Sequence, residues 1–198
     1  MNVKLQYDLA FLGGIWFDNC LQLNSYQVNL QLITRSTDQV LINIAMERLK
    51  CFVYSELESA VFVAQARSEP AEMMNVMGIN VVTLPSDPVD QIVGMMLYCK
   101  LNAVMEDVIR IQRLDISSTL GDNVWYQFDE EEDSLGPFVQ DGWWHRPDLT
   151  HTCFEDSPVS DNVVKVTPDP WHDYSLSWPD TTPASQGVVY VNFGKHED

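Results

Sequence analysis

Two stretches near the N-terminus, VKLQYDLAFL (3–12) and SYQVNLQLIT (25–34), set an apolar side chain at every second position. That period belongs to strands with one buried face, so this part of the chain must enter a sheet. GIWFDNCLQL (14–23) lies between them and reads as a hairpin or a third strand, with Gly13-Gly14 as its turn. The period then changes. In STDQVLINIAMERLKCFVYSEL (36–57), Leu41, Ile44, Ala45, Leu49, Phe52 and Val53 share one helical face, and Thr37 or Asp38 can cap the first turn.

The same alternation of habits continues. SAVFVAQA (59–66) is a short strand, and SEPAEMMNVMG (68–78) is a helix with Pro70 near its start and Gly78 as its stop. INVVTLP (79–85) has the β-branched, uninterrupted apolarity of a buried strand. It leads into a long helix with Asp87 expected as N-cap, Pro88 at the first helical position and Asp90 at the positive end of the dipole. VIRIQRLDI (108–116) and NVWYQFDEE (123–131) alternate again around a Gly121-Asp122 turn. Helices interleaved with strands, and hairpins at both ends, predict an α+β fold: a mixed sheet with two or three packed helices over residues 1–132.

Beyond residue 132 the texture is different. Seven of the ten prolines and four of the six tryptophans fall in 133–198. Proline at that frequency prevents long helices, while the indoles carry too much apolar area to stay in water. The expectation is an irregular, acidic arm anchored on the first domain or on a partner by Trp143, Trp144, Trp171 and Trp178. GVVYVNF (187–193) is its one clear strand and could add to a sheet edge.

The formal net charge is −18, with −4 over residues 1–114 and −14 over 115–198. A surface of that sign repels a nucleic-acid backbone and an anionic membrane, so direct binding to either is not expected. No apolar run reaches the roughly 18 residues of a membrane-spanning helix. The N-terminus lacks the pattern of a signal peptide, and Cys20, Cys51, Cys99 and Cys153 form no CxxC pair. Reduced thiols in a cytoplasmic protein follow from both.

The densest cluster of reactive side chains is GWWHRPDLTHTCFED (142–156). His145, His151 and Cys153, with His172 and some of Asp141, Asp148 and Asp156, are the candidate metal ligands. Their H-x5-H-x-C spacing matches no standard zinc pattern, and an aromatic lid with polar residues facing water is the simpler reading. The acidic run Asp129–Asp133 lacks the alternating oxygens and glycine bend of a calcium loop. Ser117, Ser118 and Thr119 could offer a nucleophile, yet no histidine lies nearby in sequence. No cofactor is expected.

Three segments, LPSDPVDQIVGMMLYCKLNAVMED (84–107), DISSTLGDNVWY (115–126) and LGPFVQDGWWHRPDLTH (135–151), resemble a set of uncharacterised proteins encoded by tailed phages of marine bacteria. The resemblance implies a phage-encoded protein made in the host cytoplasm and carries no catalytic motif. The functional expectation is a non-enzymatic protein that binds another protein or itself. A metal-dependent enzyme built on His145, His151 and Cys153 is the alternative, and an acidic DNA mimic the second.

Overall fold

The computed structural model describes residues 4–129, 135–149 and 151. The chain divides into two units, Met1–Glu155 and Asp156–Asp198, and every described residue belongs to the first. Trp171, Trp178, Cys153, His172, Asp156 and the strand expected at 187–193 lie outside the described residues, as do Glu130–Asp133 of the acidic run.

Among the described residues, six strands and three helices follow in the order β1 (Lys4–Phe17), β2 (Cys20–Thr34), α1 (Gln39–Cys51), β3 (Val61–Ala64), α2 (Ser68–Val76), β4 (Val81–Leu84), α3 (Asp90–Val104), β5 (Ile109–Ser118) and β6 (Tyr126–Asp129). A π-helical turn, Phe52–Leu57, extends α1, and 3-10 turns at Gly136–Val139 and Trp143–His145 follow β6. The strands make one mixed sheet in the order β4-β3-β1-β2-β5-β6. β3 runs parallel to both β1 and β4, and the other pairs are antiparallel. This is the α+β architecture that the two periodicities predict.

The hairpin turn differs from expectation. β1 continues through Gly13 and Gly14 to Phe17, and the chain reverses at Asp18-Asn19, where φ is 49° and 59°. Two consecutive residues in the left-handed region make the tight turn that suits the twist of paired strands, and Asp and Asn tolerate that region better than most. The glycines are needed for a different reason. A Cβ on Gly13 would stand 3.2 Å from the Phe62 ring and 3.3 Å from the Ala60 carbonyl. They let β3 close onto β1.

The start of α3 also differs. Val89 is extended and the helix begins at Asp90, so Asp87 is not its cap. The two extra residues bring the Asp90 carboxylate to the Ser118 hydroxyl, 2.7 Å away at the end of β5.

Alternation along the strands sorts the core. Phe11, Tyr26, Val28, Leu30, Phe62, Val82, Leu84, Leu114 and Ile116 face α1 and α3 in the main cluster, whereas Val61, Val63 and Val81 face α2 with Ala71 and Met74. Helices therefore cover one whole face and only the β3–β4 end of the other. The remaining area, over β1, β2, β5 and β6, presents Gln6, Asp8, Gln27, Gln31 and Gln127 to solvent.

Candidate functional site

The 142–151 stretch turns inward. Trp143 is 1% exposed and Trp144 5%, and both belong to the main core with Phe138. The Trp143 indole donates to the Thr83 carbonyl (3.1 Å), and Trp144 to the carbonyls of Phe138 (3.2 Å) and Gln140 (3.1 Å). His151 reaches Asn80 just ahead of β4, with 2.7 Å between Nε2 and the Asn80 Oδ1, and its Nδ1 lies 3.0 Å from Glu56. The segment thus meets the outer edge of β4 at Thr83 and the residue just ahead of that strand, Asn80. At Thr83 it occupies a backbone acceptor that an edge strand otherwise leaves open.

Two cations hold this strap. Lys100 is fully buried on α3 and donates to the carbonyls of Trp143 (3.0 Å), Arg146 (2.9 Å) and Asp148 (2.7 Å). Its three N–H bonds thus meet three acceptors, while the rings of Phe52 and Trp143 lie 5.5 Å from the nitrogen. Burial lowers its pKa to about 8, against the opposing pull of the Asp148 carboxylate. Arg48 donates to the Pro147 carbonyl at 2.6 Å and pairs with Glu106 at 2.7 Å. The sequence carries a signal for Lys100, a lone cation inside the apolar run GMMLYCKLNAV, although the stripe reading passes over it.

Of the candidate ligands, only Asp141, His145, Asp148 and His151 fall within the described residues, and the two histidines pack on different rings. His145 packs on Trp144 and donates from Nε2 to the Phe138 carbonyl at 2.7 Å, whereas His151 packs on Trp143. Among the described residues no group of three or more His, Cys, Asp or Glu could hold a metal ion.

The hydroxyl cluster is structural in its surroundings. Ser118 is 1% exposed, donates to Asp90 and accepts from the Gly121 amide at 3.1 Å. Nearby, the Asn24 Oδ1 accepts from the Thr119 hydroxyl (3.0 Å) and the Leu120 amide (3.1 Å). The buried Tyr26 hydroxyl has its pKa pushed up by burial, and Asp90 adds to the rise.

Among the described residues, the end of the β1–β2 hairpin has no further strand beside it. β2 pairs with β5 only from Tyr26 onward, and the Thr119 amide still reaches the Ser25 carbonyl at 3.1 Å. Among the described residues, Cys20–Asn24 runs past that point with β1 as its one strand neighbour. Gly14 donates to Ala60, and Leu12 accepts from Ser59, so these β1 residues direct their backbone groups away from β2. Their cross-strand partners, Leu23 and Ser25, therefore direct theirs toward the β5 side, as does Leu21. Leu21 and Leu23 find no backbone partner there among the described residues.

The side chains at this end are apolar. Leu23 is 81% exposed, Leu12 57%, Leu21 46% and Phe17 41%. Leu12, Gly14, Leu23, Ser25, Val61 and Thr119 line a groove of about 400 Å³ on the sheet face opposite α1 and α3. Across the step from β5 to β6, Leu120, Val124, Trp125 and Tyr126 are exposed as well. The sequence reading missed this surface because a strand's alternation says which residues share a face, not where its neighbour stops.

No protein-family model matches the chain, and no curated protein matches it. Among solved structures it is similar to an uncharacterized protein from Wolinella succinogenes at 11% identity and a TM-score of 0.47, over 66% of this chain and 99% of that one. It is also similar to a catalytic-residue mutant of Plasmodium vivax 6-pyruvoyltetrahydropterin synthase at 12% identity and a TM-score of 0.42, over 65% of this chain and 97% of that one.

Proposed function

We propose that this chain is a non-enzymatic interaction or assembly protein that engages another polypeptide through the free end of its β1–β2 hairpin. The observation that carries this reading is Leu23, 81% exposed on a strand whose outer edge lacks a backbone partner among the described residues. An apolar strand edge without Lys, Pro or a bulge to blunt it is a surface built to be covered. The segment from Leu9 to Thr34 holds a single charged residue, Asp18, in a chain of net charge −18. A protein surface can approach here without meeting the acidic field that repels nucleic acid.

Trp143 and Trp144 serve the chain's own core, so the anchors on offer to a partner are Leu12, Phe17, Leu21 and Leu23, with Leu120, Val124, Trp125 and Tyr126 beside them. A cytoplasmic site of action belongs to the same proposal, motivated by four cysteines that form no CxxC pair in the sequence. A phage origin accords with the resemblance of the 84–151 segments.

The test is affinity capture with the full-length chain and with a Leu21→Asp/Leu23→Asp variant as baits, alongside light scattering of each purified protein. Association, with a partner or with itself, that the wild type shows and the variant loses supports the reading. Equal behaviour of the two baits ends it.

A further inference from the structure

We infer that the polypeptide covering the hairpin edge is a second copy of this chain, joined by antiparallel pairing of the two β2 edges about Leu21. The inference rests on the interaction reading above and names its partner.

The edge is self-complementary. Leu21 and Leu23 both direct N–H and C=O outward, and both side chains lie on the open face of the sheet with Leu12 and Trp16. A two-fold axis through Leu21 sets it opposite Leu21 of the second copy, and the two exchange both backbone hydrogen bonds. Leu23 of each chain then lies diagonal to Leu21 of the other, close enough for side-chain packing beside the groove. In this register the turn of the second copy, Asp18-Asn19, stops beside Leu23 and Asn24. It sits flush against Thr119, which occupies the next place along β2 through its bond to Ser25. A register two residues deeper would set Asn19 of the second copy onto Thr119. Thr119 therefore makes the Leu21 register the deepest that two copies can reach.

Apolar area and charge agree with this partner. Within residues 12–25 and 119–126, the exposed side chains of Leu12, Phe17, Leu21, Leu23, Leu120, Val124, Trp125 and Tyr126 supply apolar area to each side of the contact. Two chains of charge −18 repel over most of their surfaces, yet these two segments together hold only Asp18 and Asp122 as charged residues. Hence salt, by screening the remainder, should strengthen the association.

The experiment combines light scattering on the full-length wild type at tens of micromolar with oxidative cross-linking of Leu21→Cys in a Cys20→Ser/Cys51→Ser/Cys153→Ser background. Paired residues of this kind have Cα atoms about 5.5 Å apart, within disulfide range. The expected results are twice the chain mass for the wild type and a covalent dimer for Leu21→Cys. A Val76→Cys control, whose site on α2 is 89% exposed, should form none. Unchanged circular dichroism of the variants guards against a folding defect. A monomeric wild type overturns the self-pairing. So does a dimer that Leu21→Cys fails to trap, or that Val76→Cys traps equally. A monomer whose hairpin still captures a different protein overturns this inference alone and leaves the interaction reading standing.

Discussion

Lys100 shows how one side chain can organise a whole segment. The ammonium sits among apolar neighbours at 0% exposure, and three carbonyls of residues 143–148 compensate for the water it has lost. Lys100→Met would keep the apolar stem but leave buried carbonyls without a donor, a loss of about 3 kcal/mol in unfolding free energy. Chemical denaturation of both proteins checks this, and a change below the measurement error would show that the strap needs no cation. The pH dependence has a definite sign. The folded-state pKa of about 8 lies below the ordinary 10.5, so between those values the unfolded chain binds more protons. Lys100 therefore makes stability rise as pH increases from about 8 to 10.5, since deprotonation relieves the burial of charge. The difference in stability between wild type and Lys100→Met should widen across that window, in thermal melts run at matched ionic strength.

At the scale of elements, the sheet and its helices were readable because burial imposes a period. β2 alternates from Asn24 to Thr34, and α1 begins where Asp38 accepts the Val40 amide at 2.8 Å, at one of the two caps the sequence offers. What eluded the sequence were long-range coincidences. Gly13-Gly14 looks like a turn until Phe62 and Ala60, nearly fifty residues away, arrive against it. Asp87-Pro88 has the composition of a helix start, yet Ser118 settles the matter by engaging Asp90. The candidate surface was equally hidden, since nothing local says that β5 leaves β2 at Ser118. The close approach at Gly13 gives a prediction of its own. Gly13→Val should destabilise the protein by about 2 kcal/mol, because the Ala60 carbonyl is backbone and cannot rotate aside. Asn19→Gly, at a turn residue with φ of 59°, should be neutral or slightly stabilising. Equilibrium unfolding of the pair separates the two explanations for glycine in this hairpin: if Gly13→Val unfolds like the wild type, the crowding argument fails.

For the molecule as a whole, the question is where the cooperative unit ends. Composition changes at residue 132, where the acidic run gives way to proline and tryptophan, and that is the boundary a sequence reading draws. Burial points further along. Phe138, Trp143 and Trp144 lie in the same core cluster as Leu97, Leu101 and Leu84, and His151 reaches back to Asn80 and Glu56. Removing them would expose three large aromatic residues' worth of core, free the outward Thr83 carbonyl and strand Lys100 without its carbonyls. Each aromatic alone is worth about 3–5 kcal/mol on truncation, while a domain of this size has only about 5–15 kcal/mol in hand. A chain ending at Glu132 should therefore fail to show a cooperative thermal transition, or aggregate on expression. A chain ending at Glu155, which retains the whole first unit, should melt cooperatively with native-like near-ultraviolet circular dichroism from its buried indoles. If the shorter chain melts as sharply as the longer, the strap is an ornament and residues 1–132 fold unaided. If neither folds, the first unit depends on residues beyond 155 and the division of the chain must be redrawn.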